Sequence, residues 1–182
     1  MERKLVRETY TRLKQEQEQL LTELRKKHLL ISLFRLLVFI AGAVLSALAF
    51  THSALAGTVV LLLAIVVFLF LLKIFEDFTS GIAIAENMVQ INSNEIRALD
   101  AHFSPFDGGS DLIDPGHDYS VDIDLFGESS MFSYINRTVT GSGRRILAGW
   151  LLDPYELRND IVPMQEAVRE LAAKREWRQK FM

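Results

Sequence analysis

Four acidic residues, Asp118, Asp122, Asp124 and Glu128, crowd one short stretch and invite a divalent-cation reading. A calcium loop of the EF-hand type takes oxygen ligands at positions 1, 3, 5 and 12, with glycine at 6. Counted from Asp122, position 5 is Phe126 and position 12 is Ser133, so the template fails. Gly141-Ser142-Gly143-Arg144-Arg145 has the glycine content of a phosphate cradle. It lacks the Gly-Lys-Ser/Thr ending that supplies the lysine and the magnesium-binding hydroxyl. What survives is a helix start followed by two arginines, and Arg144 and Arg145 are the candidate anion ligands. His28, His52, His102 and His117 are scattered without ligand spacing. Asn136-Arg137-Thr138 fits the glycosylation acceptor pattern, but the topology argued below places it in the cytoplasm. No nucleophile, base and orienting group converge, so no catalytic, cofactor-binding or metal-ligating residue is assigned. The absence of cysteine removes disulfides and thiolate metal sites as well.

The elements around these residues are dominated by one feature. Residues 36–72 contain no charged side chain. As one helix they would run roughly 55 Å at 1.5 Å per residue, nearly twice the hydrocarbon core of a bilayer. Thr51-His52-Ser53, with Gly57 just after, is the one place to divide them. Two membrane-spanning helices are therefore expected, about 31–50 and 54–73, as a hairpin over 31–73. A soluble buried hairpin is disfavoured because residues 59–72 have no polar face, and a cleaved signal peptide because a second span follows directly. Arg25, Lys26, Lys27, Arg35 and Lys73 flank the spans while the turn carries no Lys or Arg. The positive-inside rule then puts both termini in the cytoplasm of a multi-pass inner-membrane protein. Arg35 is expected to snorkel, and small residues at helical spacing (Gly42 and Ser46, Ala43 and Ala47) would let the helices pack closely.

Charge is segregated along the chain. Residues 1–30 carry eight Lys/Arg against five Asp/Glu, residues 76–130 twelve acids against Arg97, and residues 131–182 nine bases against six acids. The acidic middle block repels phosphate and is a poor nucleic-acid surface. Residues 1–30 are expected as a charged cytoplasmic helix with Leu5, Leu13, Leu20 and Leu24 as a thin apolar stripe, suited to a short coiled coil or to the inner membrane surface. Residues 74–100 read as a helical stalk with Ile84, Met88 and Ile91 on one face, loosened at Ser80-Gly81. The Pro/Gly-rich residues 101–118 read as a linker.

From Tyr119 to Leu125 apolar and polar residues alternate, the signal of a half-buried strand. Ser129 or Ser130 can cap a short helix through Met131, Phe132 and Ile135. Thr140 should cap a helix presenting Ile146, Leu147, Trp150 and Leu151 and stopped by Asp153-Pro154. Asp160 should cap a third, with Pro163 in its first turn and Ile161, Met164, Val168, Leu171 and Ala172 as a buried stripe. The pattern is still helical at Trp177–Met182, as though the chain continued.

The segment from Asp122 to Leu171 resembles the start of the core domain of the MutS family of mismatch-repair ATPases. The residues that carry the resemblance are Asp124-Leu125-Phe126-Gly127, Ser130-Met131-Phe132, Asn136-Arg137-Thr138-Val139-Thr140, Gly143-Arg144-Arg145-Ile146-Leu147 and Trp150-Leu151-Leu152 with Pro154. In that family an Arg-Thr-x-Thr segment and a Gly-x-Arg-x-Leu-x-x-Trp-Leu helix open the helical core, and a helix with Gln and Glu (here Gln165 and Glu170) follows. The hairpin in front, with Phe106-Asp107-Gly108-Gly109 and His117-Asp118-Tyr119-Ser120, resembles the membrane-anchored MutS-related proteins of bacteria. The resemblance implies a mainly α chain: a two-helix transmembrane hairpin with flanking cytoplasmic helices, a short strand, and the start of a MutS-core-like helical domain over 119–182.

It also implies that Asp124, Phe126, Gly127, Asn136, Arg137, Thr138, Thr140, Gly143, Arg145 and Trp150 are structural motif residues. ATP with magnesium and DNA would be handled by a part of the protein outside this chain, which has no Walker-type domain. A homodimer and the lipid bilayer are the implied partners. The family's N-terminal mismatch-reading domain is replaced here by the hairpin, which puts mismatch recognition in doubt. Phe126-Gly127-Glu128 matches its Phe-x-Glu wedge only in letters. A membrane adaptor without enzymatic activity, acting through residues 2–28 and 76–100, is the alternative.

Overall fold

A computed structural model describes residues 2–153 and 161–181. Among them the chain is helical and contains no strand. The elements are α1 (Glu2–His52), α2 (Ala54–Leu99), a 3-10 turn (Ser110–Leu112), α3 (Met131–Ile135), α4 (Gly141–Leu152), α5 (Ile161–Ala173) and α6 (Arg175–Phe181). They form two compact units, one of residues 12–90 and one of residues 1–11 with 91–182.

In the 12–90 unit the arms of α1 and α2 run antiparallel. The division expected at Thr51-His52-Ser53 comes down to Ser53 alone, with Thr51 and His52 in the last turn of α1. The Ser53 hydroxyl accepts the Ala56 N–H at 3.1 Å, capping α2. A side chain at Gly57 would run into the Phe50 ring, so glycine lets the two arms close directly after the break. α2 passes through Ser80-Gly81 without interruption, against the expected loosening. Gly81 faces Leu24 of α1, where a Cβ would lie in ordinary contact, 3.6 Å from the leucine.

The inward residues of α2 here recur every seven positions: Gly57, Ala64, Leu71, Phe78 and Ala85. Those of α1 do the same at Lys14, Leu21, His28, Arg35, Gly42 and Ala49. A seven-residue repeat keeps one face of each helix on its partner, as in a coiled coil. This seam differs from the stalk face expected at Ile84, which is 59% exposed while Ala85 is buried. At the apolar end small residues bring the backbones together, and a Cβ on Gly42 would stand 2.8 Å from that of Ala64. Phe39 and Phe68 pack at 6.0 Å. Toward the polar end Arg35 lies over the Phe75 ring at 4.4 Å, His28 packs on the same ring at 4.2 Å, and Arg25 pairs with Glu86 at 2.7 Å.

Both helices are long and apolar enough to cross a membrane. Their large side chains point outward: Leu37, Leu55, Val66 and Phe70 are all more than 60% exposed.

The second unit has a small core of Leu125, Phe126, Phe132 and Ala148, with Leu112, Tyr119, Leu147, Leu151 and Leu152 packed on it. The strand expected over 119–125 is instead a chain of turns. Ile123 N–H donates to Tyr119 O at 3.2 Å, Asp124 N–H to Val121 O at 3.2 Å and Leu125 N–H to Ser120 O at 2.9 Å. Burial follows the alternation only at its ends, Tyr119 and Leu125; Val121 and Ile123 are about half exposed, whereas Ser120 is buried. A lone strand leaves a row of backbone groups unpaired, and here local turns satisfy them instead. Asp124, at φ 50, ends any extended run.

The segment read as a linker is part of this core. Gly127 N–H donates to Gly108 O at 2.8 Å, and a side chain at Gly108 would collide with Gly127 O. Gly109, at φ 69, sits against Phe126, Leu112 and Phe132, where glycine alone meets both the backbone and the space required.

Ser130 caps α3 by accepting Ser133 N–H at 3.2 Å, and Thr140 caps α4 by accepting Gly143 N–H at 3.1 Å. The buried side of α4 is Leu147, Ala148, Leu151 and Leu152, with Ile146 and Trp150 turned outward, one position round from the expected face. The stripe expected on α5 is not buried as a whole: Ile161 and Val168 are exposed, while Met164 and Leu171 are partly covered. The expected stop at Pro154 and cap at Asp160 lie outside the described residues.

Candidate functional site

Four of the motif residues, Asn136, Arg137, Thr138 and Thr140, make up the loop between α3 and α4. Asn136, buried at the end of α3, ties three segments together. Its amide donates to Asp107 O at 3.0 Å, and its side-chain oxygen accepts from Thr138 N–H at 3.0 Å and from the Thr138 hydroxyl at 2.7 Å. The backbone thus turns sharply out of α3 toward the Thr140 cap. Without a Cβ, Gly143 lets Thr140 Oγ1 approach its N–H directly.

Arg137 is the most heavily engaged side chain in the unit. Its Nε donates to Glu95 Oε1 at 2.6 Å and its second fork nitrogen to Oε2 at 3.3 Å, a bidentate pair with α2. Its other terminal nitrogen donates to the carbonyls of Tyr134 at 3.1 Å and Asn136 at 2.9 Å. The guanidinium carbon lies 3.5 Å from the centre of the Phe106 ring. Only arginine offers a planar fork, surplus donors and a stacking face together.

Arg144 and Arg145, the candidate anion ligands, separate. Arg144 is held by two carboxylates, with Nε on Asp107 Oδ2 at 2.5 Å and both terminal nitrogens on Asp111. Hydrogen bonding from Arg144 holds the Asp107 carboxyl below its ordinary value, helped by the Gly109 N–H, and lowers Asp111 as well. The same carboxylates raise Arg144 further above its already high value. Its charge is therefore matched within the chain, while Arg145 is exposed on the outer side of α4.

The other motif residues are structural in placement. Phe126 is in the core, Gly127 adopts φ 112, Asp124 turns the chain, and Trp150 is 41% exposed. His117 and Tyr119 close the far end of α4. The Tyr119 hydroxyl donates to Leu151 O at 2.5 Å, and His117 Nε2 lies 3.1 Å from Leu152 O. His117 Nδ1 accepts from the N–H groups of Tyr119 and Ser120, which leaves the proton on Nε2 to meet the last carbonyl of α4. No three of His, Asp and Glu gather as a metal-binding group among the described residues.

Beside the Glu95–Arg137 pair opens a cleft of about 310 Å³. α6 lines one side, and Tyr10 and Ile91 contribute to another. α6 is fixed to α2 by a buried amide pair, Gln179 Nε2 to Asn92 Oδ1 at 2.8 Å. Sequence reasoning missed the partners that make the site: Glu95 on the stalk, Phe106 and Asp107 in the supposed linker, and Tyr10, Arg175 and Arg178 in the cleft. An available signal was the aromatic and carboxylate pair Phe106-Asp107 ahead of two glycines, a composition suited to meeting arginines at close backbone approach.

No family model, curated protein or solved structure matches this chain.

Proposed function

We propose that the chain is a membrane anchor joined to a cytoplasmic helical unit, and that it forms the N-terminal part of a MutS-related, DNA-associated ATPase. The observation that carries the anchor is the outward display of apolar side chains along both arms of the hairpin, from Leu29 to Phe70. Exposing a large aliphatic or aromatic side chain to water forgoes about 1.5–3 kcal/mol. Over this many side chains the loss exceeds the roughly 5–15 kcal/mol by which a domain is stable, so lipid is the fitting solvent. Lys and Arg before and after the hairpin, with none at its tip, orient both termini to the cytoplasm.

The kinship rests on the density of the match from Asn136 to Trp150. The heavy internal use of Asn136, Arg137, Thr138 and Thr140 suits a motif kept for structure. In this reading ATP, magnesium and DNA are bound by another part of a longer protein, and self-association is through the cytoplasmic helices.

The native chain has no cysteine, so single-cysteine variants report topology cleanly. Ser53→Cys in intact cells should react with a membrane-impermeant maleimide, and Ser110→Cys only after lysis. Release of the protein by a carbonate wash would end the anchor reading. An open reading frame that continues without a P-loop would end the kinship. Crosslinking that captures chiefly a distinct partner, and not a second copy, would favour the adaptor.

A further inference from the structure

We infer that the cleft beside α6 binds a small aromatic anion: one or two fused rings bearing a phosphate, sulfonate or carboxylate. Its volume, about 310 Å³, is at the low end of ligand pockets and suits a compact molecule. One wall is apolar, made by Ile91, Leu171, Trp177 and Phe181. The Trp177 and Phe181 rings are nearly parallel, with an interplanar angle of 9° and centroids 5.8 Å apart. Both are more than half exposed, so the stacked pair leaves aromatic surface open for a further ring to pack on.

Among the described residues the charge of the cleft is unbalanced. The one carboxylate lining it, Glu95, is taken by Arg137. Arg175 and Arg178 have no carboxylate within ion-pair distance among the described residues. Arg175 is 5.6 Å from the Tyr10 ring, a contact that leaves its fork nitrogens free for an acceptor.

The deciding observation is Arg178. Its Nε is buried and makes no hydrogen bond, and among the described residues its guanidinium has only a long 3.5 Å bond from a terminal nitrogen to Ala172 O. Nε itself is shut off from the cleft, but the terminal nitrogens of so weakly satisfied a guanidinium can be met by an anionic oxygen. A bare inorganic anion would leave the aromatic wall wet, and a neutral ring would leave both guanidinium groups unpaired. A ligand with both features satisfies the whole lining.

The test uses the full chain in lipid nanodiscs, titrated calorimetrically with 2-naphthyl phosphate, 2-naphthol and inorganic phosphate, with empty discs subtracted. The naphthyl phosphate should bind saturably and at least tenfold more tightly than either half-ligand. Arg178→Met and Arg175→Met should each weaken it about tenfold or more, toward the level of 2-naphthol. Trp177→Leu should weaken it toward the level of phosphate. Lys26→Ala, exposed on α1 and not part of the cleft lining, should leave it unchanged. Should Arg178→Met melt early, Arg175→Met and Trp177→Leu decide the question, since Trp177 is exposed. Absent saturable binding, equal affinity for 2-naphthol, or affinity indifferent to both arginine variants overturns the inference.

Discussion

Arg137 shows how much one side chain can hold. It closes a bidentate pair with Glu95, donates to backbone carbonyls at the end of α3 and covers the Phe106 ring. The pair is about three-quarters buried, so removing the cation strands a carboxylate in a poorly solvated place. Arg137→Ala should cost about 2–3 kcal/mol, from lost charged hydrogen bonds and an orphaned Glu95. Arg137→Lys should recover less than half of that, because an ammonium has no fork. Hydrogen exchange over residues 131–140 would register both.

Arg144 makes a pH prediction with a definite sign. Asp107 and Asp111 are held below their ordinary value of 3.8 by Arg144, so their folded state takes up protons less readily than the unfolded chain. Their contribution is complete above the ordinary carboxylate value and is lost as pH falls through their lowered values. The difference in melting temperature between the native chain and Arg144→Ala should therefore be constant above about pH 5 and shrink below about pH 4. A difference that widens on acidification would contradict the pairing.

At the scale of elements, the long helices follow from composition. Residues 2–41 contain neither glycine nor proline and are rich in Leu, Arg, Lys, Gln and Glu, so nothing stops α1 before the Ser53 break. What composition hid was the seven-residue seam, because several seam positions are occupied by glycine, alanine, lysine, histidine and arginine. Close approach, and not bulk, defines it at the apolar end. Gly42→Leu should force the arms apart at Ala64 and lower the hairpin's resistance to thermal unfolding in detergent. Leu45→Ala, on the outward face of the same helix, should leave that resistance nearly unchanged.

The far end of α4 is another element-scale device. Tyr119→Phe removes the donor that meets the Leu151 carbonyl and should cost about 1 kcal/mol, seen as faster exchange at the end of α4. The alternation over 119–125 misled because period two is also what turns produce by chance over seven residues. Only a partner strand would have given it meaning.

At the scale of the whole molecule, three charge blocks and one apolar block set what the chain can meet. Twelve acids against one base over residues 76–130 oppose a polyphosphate surface. The 182-residue chain should therefore fail to retard duplex DNA at about 150 mM salt, as read by gel shift, and retardation at that ionic strength would require a basic surface that this charge distribution does not suggest.

The sequence by itself determined the apolar hairpin, a break within Thr51-His52-Ser53, caps at Ser129 or Ser130 and at Thr140, and the helical class, because each depends on residues adjacent in the chain. Tertiary structure alone decided that Phe106 and Asp107 belong to the core, that Glu95 meets Arg137, and that Tyr10 and α6 frame a cleft. Those pairings join residues dozens of positions apart. The energy that selects them comes from desolvated charges finding partners, which no local pattern records.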